Sequence, residues 1–283
     1  MKNENKEKFS VLMSVYFKEE PEALDLALNS VLDKQTLKPD ELVLVEDGPL
    51  TDELYKVVND YEKKYPNIIK IYPLEKNGGL GSALNHGLSK CSNDLIVRMD
   101  SDDVSCEGRF EKQIDYMIKH PEVSVLGGAI SEFEDDPSKP IRLKNMPITH
   151  EEVKKYARFR NPINHVTSCF RKKDIESVGG YKDIFYLEDH YLWSRLLVNN
   201  KVIENLPDVL VYVRIGNGFL DRRGNKRYVN GWKKLQNYLY KNKFITFYEK
   251  ERNMLGMYVI TYSPKWVRSL LYSKVLRSKK ENN

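Results

Sequence analysis

Three aspartates within four residues are the part of the sequence whose residue types and spacing indicate chemistry most directly. The segment Arg98–Asp103 reads RMDSDD and directly follows the apolar run Leu95–Val97. Carboxylates that crowd together repel one another and need a cation or a basic partner nearby. At the mouth of a parallel sheet, such oxygen ligands suit Mg²⁺ or Mn²⁺ bridging a diphosphate. The alternative is a solvated turn in which Asp103 caps the next helix, but the preceding strand favours the metal site.

Two other segments place polar or aromatic side chains at the ends of predicted strands. Ser14-Val-Tyr16 ends the first strand, where the Tyr16 ring either stacks on a nucleobase or belongs to the core. Asp47, within Glu46-Asp47-Gly48, follows the second strand, and its carboxylate can accept hydrogen bonds from a ribose hydroxyl or a base N–H. An Asp-Gly turn that binds no ligand explains the same residues equally well.

A glycine-rich stretch from Asn77 to Asn85 resembles a phosphate-binding loop only superficially. Leu84 stands where a dinucleotide fingerprint needs Gly or Ala, and no Gly-Lys-Ser/Thr sequence occurs. We therefore interpret Asn77 and Gly78 as a turn. The glycines that follow are interpreted as positions of close packing between a helix and the sheet, near the ligand.

Glu188 and Asp189 begin a predicted helix. The helix dipole stabilises a carboxylate at this position, which by itself explains why acidic residues stand there. The functional interpretation is a general base that accepts the proton of an attacking hydroxyl group.

Strands and helices that alternate through the first half of the chain must position these residues. Helical spacing predicts helices after Pro21, after the N-cap Thr51 and over residues 79–90. The order predicts an α/β fold with a mostly parallel central sheet, flanked by helices on both faces, that binds ligands beyond the carboxyl ends of its strands. The four predicted strands are Phe9–Val15, Glu41–Val45, Ile68–Tyr72 and Asp94–Met99.

The second half of the sequence is less regular. We predict strands over Val166–Arg171 and Asp208–Arg214, a helix over Glu188–Val198, and a short helix that begins with the capping box of Thr149 and Glu152. After residue 224, Lys, Tyr, Trp and Leu mix at helical spacing. This change predicts a catalytic α/β domain of residues 1–224, followed by a basic, aromatic-rich helical segment of residues 225–283.

Size, composition and charge limit the classes of protein to consider. The 283 residues, 41% of them hydrophobic, allow one α/β domain with an appended segment, and no apolar run is long enough to span a membrane. Three scattered cysteines and a charged N-terminus without an apolar stretch predict a cytoplasmic protein.

The charge is distributed unevenly along the chain. Residues 232–283 contain 12 Lys/Arg and three Asp/Glu, a net charge of +9, whereas the other 231 residues contain 34 Lys/Arg and 38 Asp/Glu, a net charge of −4. The basic segment favours an anionic partner such as a membrane surface, and no nucleic-acid recognition motif is present.

Together these segments resemble the family-2 inverting glycosyltransferases of the GT-A fold, particularly the amylovoran-type enzymes of bacterial capsule and exopolysaccharide synthesis. The resemblance extends from about Phe9 to Gly224 and depends on five segments in this order. They are Phe9–Tyr16, Val45–Gly48, Asn77–Asn85, Met99–Asp103 and Glu188–Trp193.

The resemblance implies a role for each matching residue. Asp102 would ligate Mn²⁺ or Mg²⁺, and Asp100 would contact the metal or the ribose. Asp189 would be the base in a single displacement that inverts the anomeric centre, and Arg98 would lie near the diphosphate. The nucleotide sugar, UDP-linked by this resemblance, would contact Ser14, Tyr16, Asp47, Asn77, Arg98 and Asp100.

The acceptor side is assigned by the same resemblance. His165 is a candidate contact for the acceptor or a phosphate, Glu188 lies beside the base, and Arg222 and Arg223 are candidates to neutralise phosphates. Each has a structural alternative, because a lone histidine, a helix cap and a solvated basic loop need no ligand. The basic segment would hold the protein at the inner face of the cell membrane, beside a glycan acceptor linked to polyprenyl diphosphate.

Two departures from the family pattern narrow this expectation. The Gln-x-x-Arg-Trp motif of processive members is absent, which favours the transfer of a single sugar. Arg214 is followed by Ile215 and Gly216, where many relatives place a histidine that completes the metal site, so Asp102 and the diphosphate would hold the metal alone.

Two other functions remain open. A sugar nucleotidyltransferase would need a Gly-rich basic loop in place of Tyr16–Pro21, and a non-catalytic nucleotide-sugar-binding protein would use the basic segment as a membrane anchor.

Overall fold

A mixed sheet of nine strands organises the part of the molecule that this computed structural model describes, residues 7–215 and 226–263. Its first four strands are β1 (Phe9–Val15), β2 (Glu41–Glu46), β3 (Ile69–Pro73) and β4 (Leu95–Asp100). They are parallel and lie in the order β3-β2-β1-β4, which confirms this half of the predicted sheet. Because all four run in the same direction, their carboxyl ends meet at one edge.

Three helices connect these strands at the predicted places: α1 (Pro21–Leu32), α2 (Asp52–Lys64) and α3 (Leu80–Lys90). Pro21 stands in the first turn of α1, where its missing N–H costs no hydrogen bond. The Thr51 hydroxyl oxygen caps α2 by accepting a hydrogen bond from the Leu54 N–H at 3.3 Å. Helices α1 and α2 pack on one face of the sheet and α3 packs on the other, so both faces are covered.

The second half of the sheet is mixed, where the sequence predicts a mostly parallel sheet. Its strands are β5 (Val104–Ser105), β6 (Val123–Phe133), β7 (Arg142–Lys144), β8 (Cys169–Arg171) and β9 (Val202–Arg214). β8 lies antiparallel between β4 and β6, and β6 pairs in parallel with β9. β5 pairs antiparallel with β9, and β7 pairs antiparallel with β6. Two neighbouring parallel strands need a crossover connection between them. The repeated strand–helix crossovers end after β4, so the later strands are not held to a parallel arrangement.

Two predicted strands have different bounds in the structure. Residues His165–Thr167 form a 3₁₀ turn, so only the last part of the predicted strand Val166–Arg171 is extended. β9 starts before the predicted Asp208, and its register shifts at Pro207 and Asp208, which have no partner on β6. Proline has no N–H to donate to a neighbouring strand, so within strands it usually occurs at such irregularities.

Six further helices complete the described residues: α4 (Arg109–Lys119), α5 (His150–Ala157), α6 (Lys172–Ser177), α7 (Glu188–Val198), α8 (Lys226–Lys241) and α9 (Phe247–Tyr262). The capping box of Thr149 and Glu152 on α5 is present, as predicted. Trp232, Leu235 and Leu239 of α8 are buried in the same core as α3 and α7. The predicted C-terminal helices are therefore confirmed, while the boundary at residue 224 lies outside the described residues and stays a prediction.

Among the helices of residues 7–215 and 226–263, none combines the length and the apolar character needed to cross a membrane.

Candidate active site

The three aspartates after β4 come together at the carboxyl edge of the parallel strands. One carboxylate oxygen from each of Asp100, Asp102 and Asp103 lies within 4.8 Å of the others. Asp103 is buried and accepts a hydrogen bond from the Arg214 backbone N–H at 2.8 Å. The alternative that Asp103 caps the next helix is wrong, because α4 begins only at Arg109. Asp103 instead connects the end of β9 to the cluster through this hydrogen bond.

The electrostatics of this cluster fit a divalent cation. Burial, together with the neighbouring carboxylates, raises the pKa of Asp102 and of Asp103 above the ordinary range. Arg98 forms a bidentate ion pair with Asp100 and so offsets only one of the charges. Carboxylate oxygens at this spacing suit Mg²⁺ or Mn²⁺, and cation binding would displace the protons that the raised pKa retains. With only 1% of its side chain exposed, Arg98 positions Asp100, and its proximity to a diphosphate stays a prediction.

A fourth carboxylate, which the sequence analysis missed, lies beside the cluster. Glu19 is in the loop between β1 and α1, and its Oε2 accepts a hydrogen bond from the Ser101 hydroxyl at 2.5 Å. Burial raises the pKa of Glu19, and the charge of Asp100 adds to this effect. The sequence signal that could have identified Glu19 is its position: it is an acidic residue in a loop that leaves the same edge of the sheet as the three aspartates.

The end of β1 lies next to the cluster. Ser14 is opposite Asp100 in the register of β1 and β4. Tyr16 is 41% exposed, and its ring centroid is 5.9 Å from that of Phe17. The alternative that Tyr16 is a core aromatic is therefore wrong. An exposed ring at this edge has the surroundings that nucleobase stacking requires, and the stacking itself stays a prediction.

Asp47 shapes the loop that leads into α3. Its Oδ1 and Oδ2 accept hydrogen bonds from the Gly78 and Gly79 N–H groups at 2.7 and 3.0 Å. The Asn77 side-chain amide donates to the Asp47 carbonyl at 3.2 Å. Gly48 has a φ of +88°, and a Cβ there would lie 2.6 Å from the Asn77 nitrogen, so this close approach requires glycine. Nucleoside contacts by Asp47 and Asn77 stay predictions.

Gly79, just before α3, and Gly81, in its first turn, do not pack on the sheet, contrary to the interpretation from the sequence. A Cβ on Gly79 would meet no atom within 4 Å, and one on Gly81 would lie 3.7 Å from Glu188 and Tyr181. The start of α3 therefore faces the start of α7. The close helix–sheet contact occurs at Gly87, where an added Cβ would lie 2.4 Å from a β1 side chain.

The candidate base Asp189 stands in the first turn of α7, as predicted. Its Oδ2 accepts a hydrogen bond from the Asn161 side-chain amide at 2.7 Å, and its Oδ1 accepts one from the His190 N–H at 2.6 Å. Burial raises the pKa of Asp189, although these hydrogen bonds and the charge of Arg98 oppose the rise. Burial and the charge of Asp189 raise the pKa of Glu188 to about 7. A fixed carboxylate with a raised pKa suits general-base catalysis.

The contact between Asn161 and Asp189 is the second feature that sequence reasoning missed. The resemblance places His165 on the acceptor side, but nothing in the sequence links Asn161, four residues earlier, to a residue 28 positions later. Only the packing of the loop before β8 against the start of α7 brings the two together.

His165 lies at the start of the 3₁₀ turn, with its Nε2 2.9 Å from the Tyr181 hydroxyl. Burial and the charge of Arg98 lower the pKa of His165 well below its usual value, so the ring is neutral at pH 7. A neutral ring forms no ion pair with a phosphate. A hydrogen-bond contact between His165 and an acceptor stays a prediction.

Arg214, the residue after which the expected histidine is missing, binds the aspartate loop through its side chain. Its Nε donates to the Asp102 carbonyl at 3.3 Å, and its guanidinium lies 4.7 Å from the centroid of the Phe133 ring. A positive charge therefore stands beside the carboxylates. Arg222 and Arg223, the other candidate phosphate ligands, lie outside the described residues.

Sequence comparisons with known proteins give consistent matches. The family model for glycosyl transferase family 2 matches residues 10–179. The amylovoran biosynthesis glycosyltransferase AmsE of Erwinia amylovora is 44% identical over 221 residues, which cover 78% of this chain and 81% of that protein. The UDP-Gal:alpha-D-GlcNAc-diphosphoundecaprenol beta-1,3-galactosyltransferase of Escherichia coli is 37% identical over 270 residues, which cover 95% of this chain and 97% of that protein.

Solved structures share the same architecture. S. aureus TarS 1–349 in complex with UDP-GlcNAc has a TM-score of 0.67 at 20% identity, and the match covers 95% of this chain and 76% of that one. The mannosyltransferase PcManGT of Pyrobaculum calidifontis, in complex with GDP-Man and Mn²⁺, has a TM-score of 0.64 at 13% identity, with 96% and 81% covered. At these identities the likeness shows the fold alone, and it confirms the GT-A fold expected from the sequence.

Proposed function

The chain belongs to glycosyl transferase family 2, and we propose that it moves one sugar from a UDP-sugar to a hydroxyl group of a lipid-linked glycan, inverting the anomeric centre. The main support is the aspartate cluster, which lies beside Ser14 and the exposed Tyr16 at the carboxyl edge of the sheet. The name of the Escherichia coli relative states a UDP-Gal donor and a diphosphoundecaprenol acceptor. The name of the Erwinia relative states amylovoran biosynthesis. Both names support the proposal that this chain acts in bacterial capsule or exopolysaccharide synthesis.

On the donor side, Asp102 and Asp100 would hold Mn²⁺ or Mg²⁺, which supplies positive charge to the departing diphosphate. Arg98 fixes Asp100 by its bidentate pair, so the carboxylate is oriented before the donor binds. Tyr16 stacks on the uracil ring, and Ser14 lies beside the ribose. These residues bind and orient the donor and take no proton.

On the acceptor side, Asp189 takes the proton of the acceptor hydroxyl as its oxygen attacks the anomeric carbon. Asn161 holds Oδ2 of Asp189 at 2.7 Å and so fixes the direction of the base. Burial raises the pKa of Asp189, which favours acceptance of the proton in the transition state. One attack from the face opposite the leaving group inverts the configuration.

We also propose that α9 contacts an anionic membrane. Tyr248, Leu255, Val259 and Tyr262 are 75, 65, 50 and 64% exposed. Their spacing of seven, four and three residues places them on one face of the helix. The net charge of +9 over residues 232–283 complements anionic lipid.

Vesicle flotation tests this membrane contact. The double variant Leu255→Gln and Tyr262→Ser should float less with vesicles of phosphatidylglycerol than the parent protein does. A matched variant, Ile118→Gln with Ile148→Ser, removes two exposed apolar side chains from elsewhere and should float like the parent. Equal flotation of all three proteins would remove the support for membrane contact through α9.

A donor screen tests the enzymatic proposal. The protein is incubated with a panel of UDP-, GDP- and dTDP-sugars, with Mn²⁺ or Mg²⁺ and a polyprenyl-diphosphate-linked glycan, and release of the nucleoside diphosphate is measured. We expect release from a UDP-sugar that depends on both the cation and the acceptor. Binding of UDP-sugars without release under any condition would favour the non-catalytic alternative.

A further inference from the structure

An open groove of about 450 Å³ lies between α7 and α8. Lys233, Lys234 and Lys241 line it, and their spacing places all three on one side of α8. Over residues 7–215 and 226–263, none of the three ammonium groups forms an ion pair with a carboxylate, whereas many other lysines do. Three like charges on one helix face repel one another, so an anion bound among them would stabilise the arrangement.

The remaining lining residues add hydrogen-bond donors and an aromatic wall. Asn230 and Asn237 lie on the same side of α8 and offer side-chain amides. The rings of Tyr191 and Tyr238 meet edge to face, with their centroids 5.1 Å apart, and both line the groove. No carboxylate is among the lining residues. Ammonium, amide and phenol donors around one cavity match an anion with several oxygens, as a phosphate ester or diphosphate has.

The groove lies close to the candidate base. Tyr191 belongs to α7, the helix that begins with Glu188 and Asp189. Tyr191 follows Asp189 by two positions, so the groove adjoins the helical turn that carries the base but opens on a different side of α7. A sugar attached to a diphosphate in the groove would reach Asp189 by passing around this first turn of α7.

The other end of the groove adjoins exposed rings. Lys241 follows Tyr240, which is 41% exposed, and the Tyr240 ring lies 6.0 Å from that of Phe247, which is 59% exposed. The Lys250 ammonium lies 5.3 Å from the centroid of each ring, so a chain attached to an anion in the groove would meet the exposed edges of these rings at this end.

We propose that the groove between α7 and α8 binds the phosphate oxygens of a lipid phosphate ester, namely the diphosphate of the lipid-linked acceptor. The assignment to the acceptor rests on the proposed function, whereas the binding of a lipid phosphate does not. The lysines of α8 would then place the first sugar of the acceptor toward Asp189 while the lipid chain leaves past Tyr240.

Calorimetric titration with farnesyl diphosphate tests the groove without requiring sugar transfer. The groove variant is the triple substitution Lys233→Gln, Lys234→Gln and Lys241→Gln. The matched control is the triple substitution Lys8→Gln, Lys34→Gln and Lys56→Gln. It removes the same amount of charge at three exposed lysines of the N-terminal half. We expect the groove variant to lose at least about tenfold in affinity while the control stays within about twofold. Farnesol should bind all three proteins weakly and equally, and UDP should bind all three alike, which shows that the groove variant is folded.

A second arm distinguishes the acceptor diphosphate from bulk anionic lipid. Association with vesicles of equal parts phosphatidylglycerol and phosphatidylcholine is measured for the same proteins. Loss of farnesyl diphosphate affinity with unchanged vesicle association assigns the groove to the acceptor. Loss of vesicle association alone assigns it to phospholipid headgroups. If the groove variant matches the parent in both arms, the proposal is overturned. A groove that passes this test in a protein that transfers no sugar would refute only the proposed function.

Discussion

The donor side and the acceptor side of the candidate site are built differently. The donor side gathers residues from the ends of adjacent parallel strands and holds more carboxylates than its basic partners offset. Burial, and after it the neighbouring carboxylates, raise the pKa of Asp102 and of Glu19. On the acceptor side, both oxygens of Asp189 accept hydrogen bonds from the protein. The first arrangement needs a cationic ligand to balance its charge, whereas the second is already oriented without one. We therefore expect donor-side changes to alter binding and acceptor-side changes to alter the rate.

Removal of the candidate base should produce the largest separation of rate from binding. In Asp189→Asn, we expect kcat to fall by about 10²- to 10⁴-fold, because an amide cannot take the acceptor proton. The dissociation constant of the UDP-sugar should stay within about twofold of the parent value, since the side chain acts only in the chemical step. Transfer kinetics and calorimetry on the same preparation check both numbers. A variant that transfers at the parent rate would exclude Asp189 as the base.

The pH dependence of transfer should come from the acceptor side. Asp189 acts only when ionised, so kcat should fall as pH falls through its pKa, by about tenfold per pH unit. Because burial raises this pKa, the acid limb should lie above the ordinary aspartate value of about 3.9. Turnover at saturating donor, with UDP affinity measured at each pH, separates this limb from protonation of the donor-side cluster. A kcat that stays constant down to the ordinary aspartate value would contradict the assignment.

The hydrogen bond from Asn161 gives a smaller and more specific test. In Asn161→Leu, Asp189 loses a donor that favours its ionised form, so its pKa should rise and the acid limb of kcat should move to higher pH. We expect kcat at pH 7 to fall by about three- to tenfold, with little change in the KM of the donor. Asn161→Ser, which can still donate, should recover part of the loss.

The control for this test is Asn59→Leu, a substitution at an exposed position on α2. Its pH profile should match that of the parent. A lower rate in Asn161→Leu without any movement of the acid limb would indicate general distortion of the loop rather than a contact that positions the base.

An ion pair outside both sides should affect stability alone. Arg158 donates to both oxygens of Glu249, at 2.8 and 2.6 Å, and this hydrogen bonding lowers the pKa of Glu249 to about 2. The pair stabilises the folded state fully above the unfolded pKa of about 4.3, and this contribution is lost as pH falls through about 2. Glu249→Gln should therefore cost about 0.5–1 kcal/mol at pH 7, by thermal unfolding, and less near pH 3.

Glu251→Gln, on the same helix, removes the ion pair between Lys250 and the exposed Glu251 carboxylate and should cost less than Glu249→Gln. Neither variant should change UDP affinity or kcat. A change in either quantity would show that α9 is coupled to the site and would contradict the expectation that this ion pair affects stability alone.

The two sides also differ in how far the sequence predicts them. The position of Asp100 and Asp102 follows from the apolar run Leu95–Val97, because a buried strand must deliver the next residues to the edge of the sheet. The helix that begins at Glu188 follows from its spacing. These are local signals. Local signals identified the donor-side residues that the sequence analysis named, but they did not identify Glu19.

The contacts that complete the site depend on residues far apart in the chain. Glu19 meets Ser101, 82 residues away, and Asn161 meets Asp189, so only tertiary packing reveals either contact. The strand β6, Val123–Phe133, is buried along its whole length and contains serine, glycine and glutamate, so it lacks the alternation that predicts a strand. Without β6, the sequence could not indicate that the second half of the sheet is mixed.

The central claim, that the acidic cluster binds a divalent cation together with the donor diphosphate, is tested most directly by titrating UDP into the protein with and without Mn²⁺. We predict that Mn²⁺ raises the affinity of the parent protein for UDP by at least about tenfold, and that Asp102→Asn abolishes this increase. Asp189→Asn, measured in parallel, should keep the full Mn²⁺ effect. An affinity for UDP that is the same with and without Mn²⁺ in the parent protein would contradict the account.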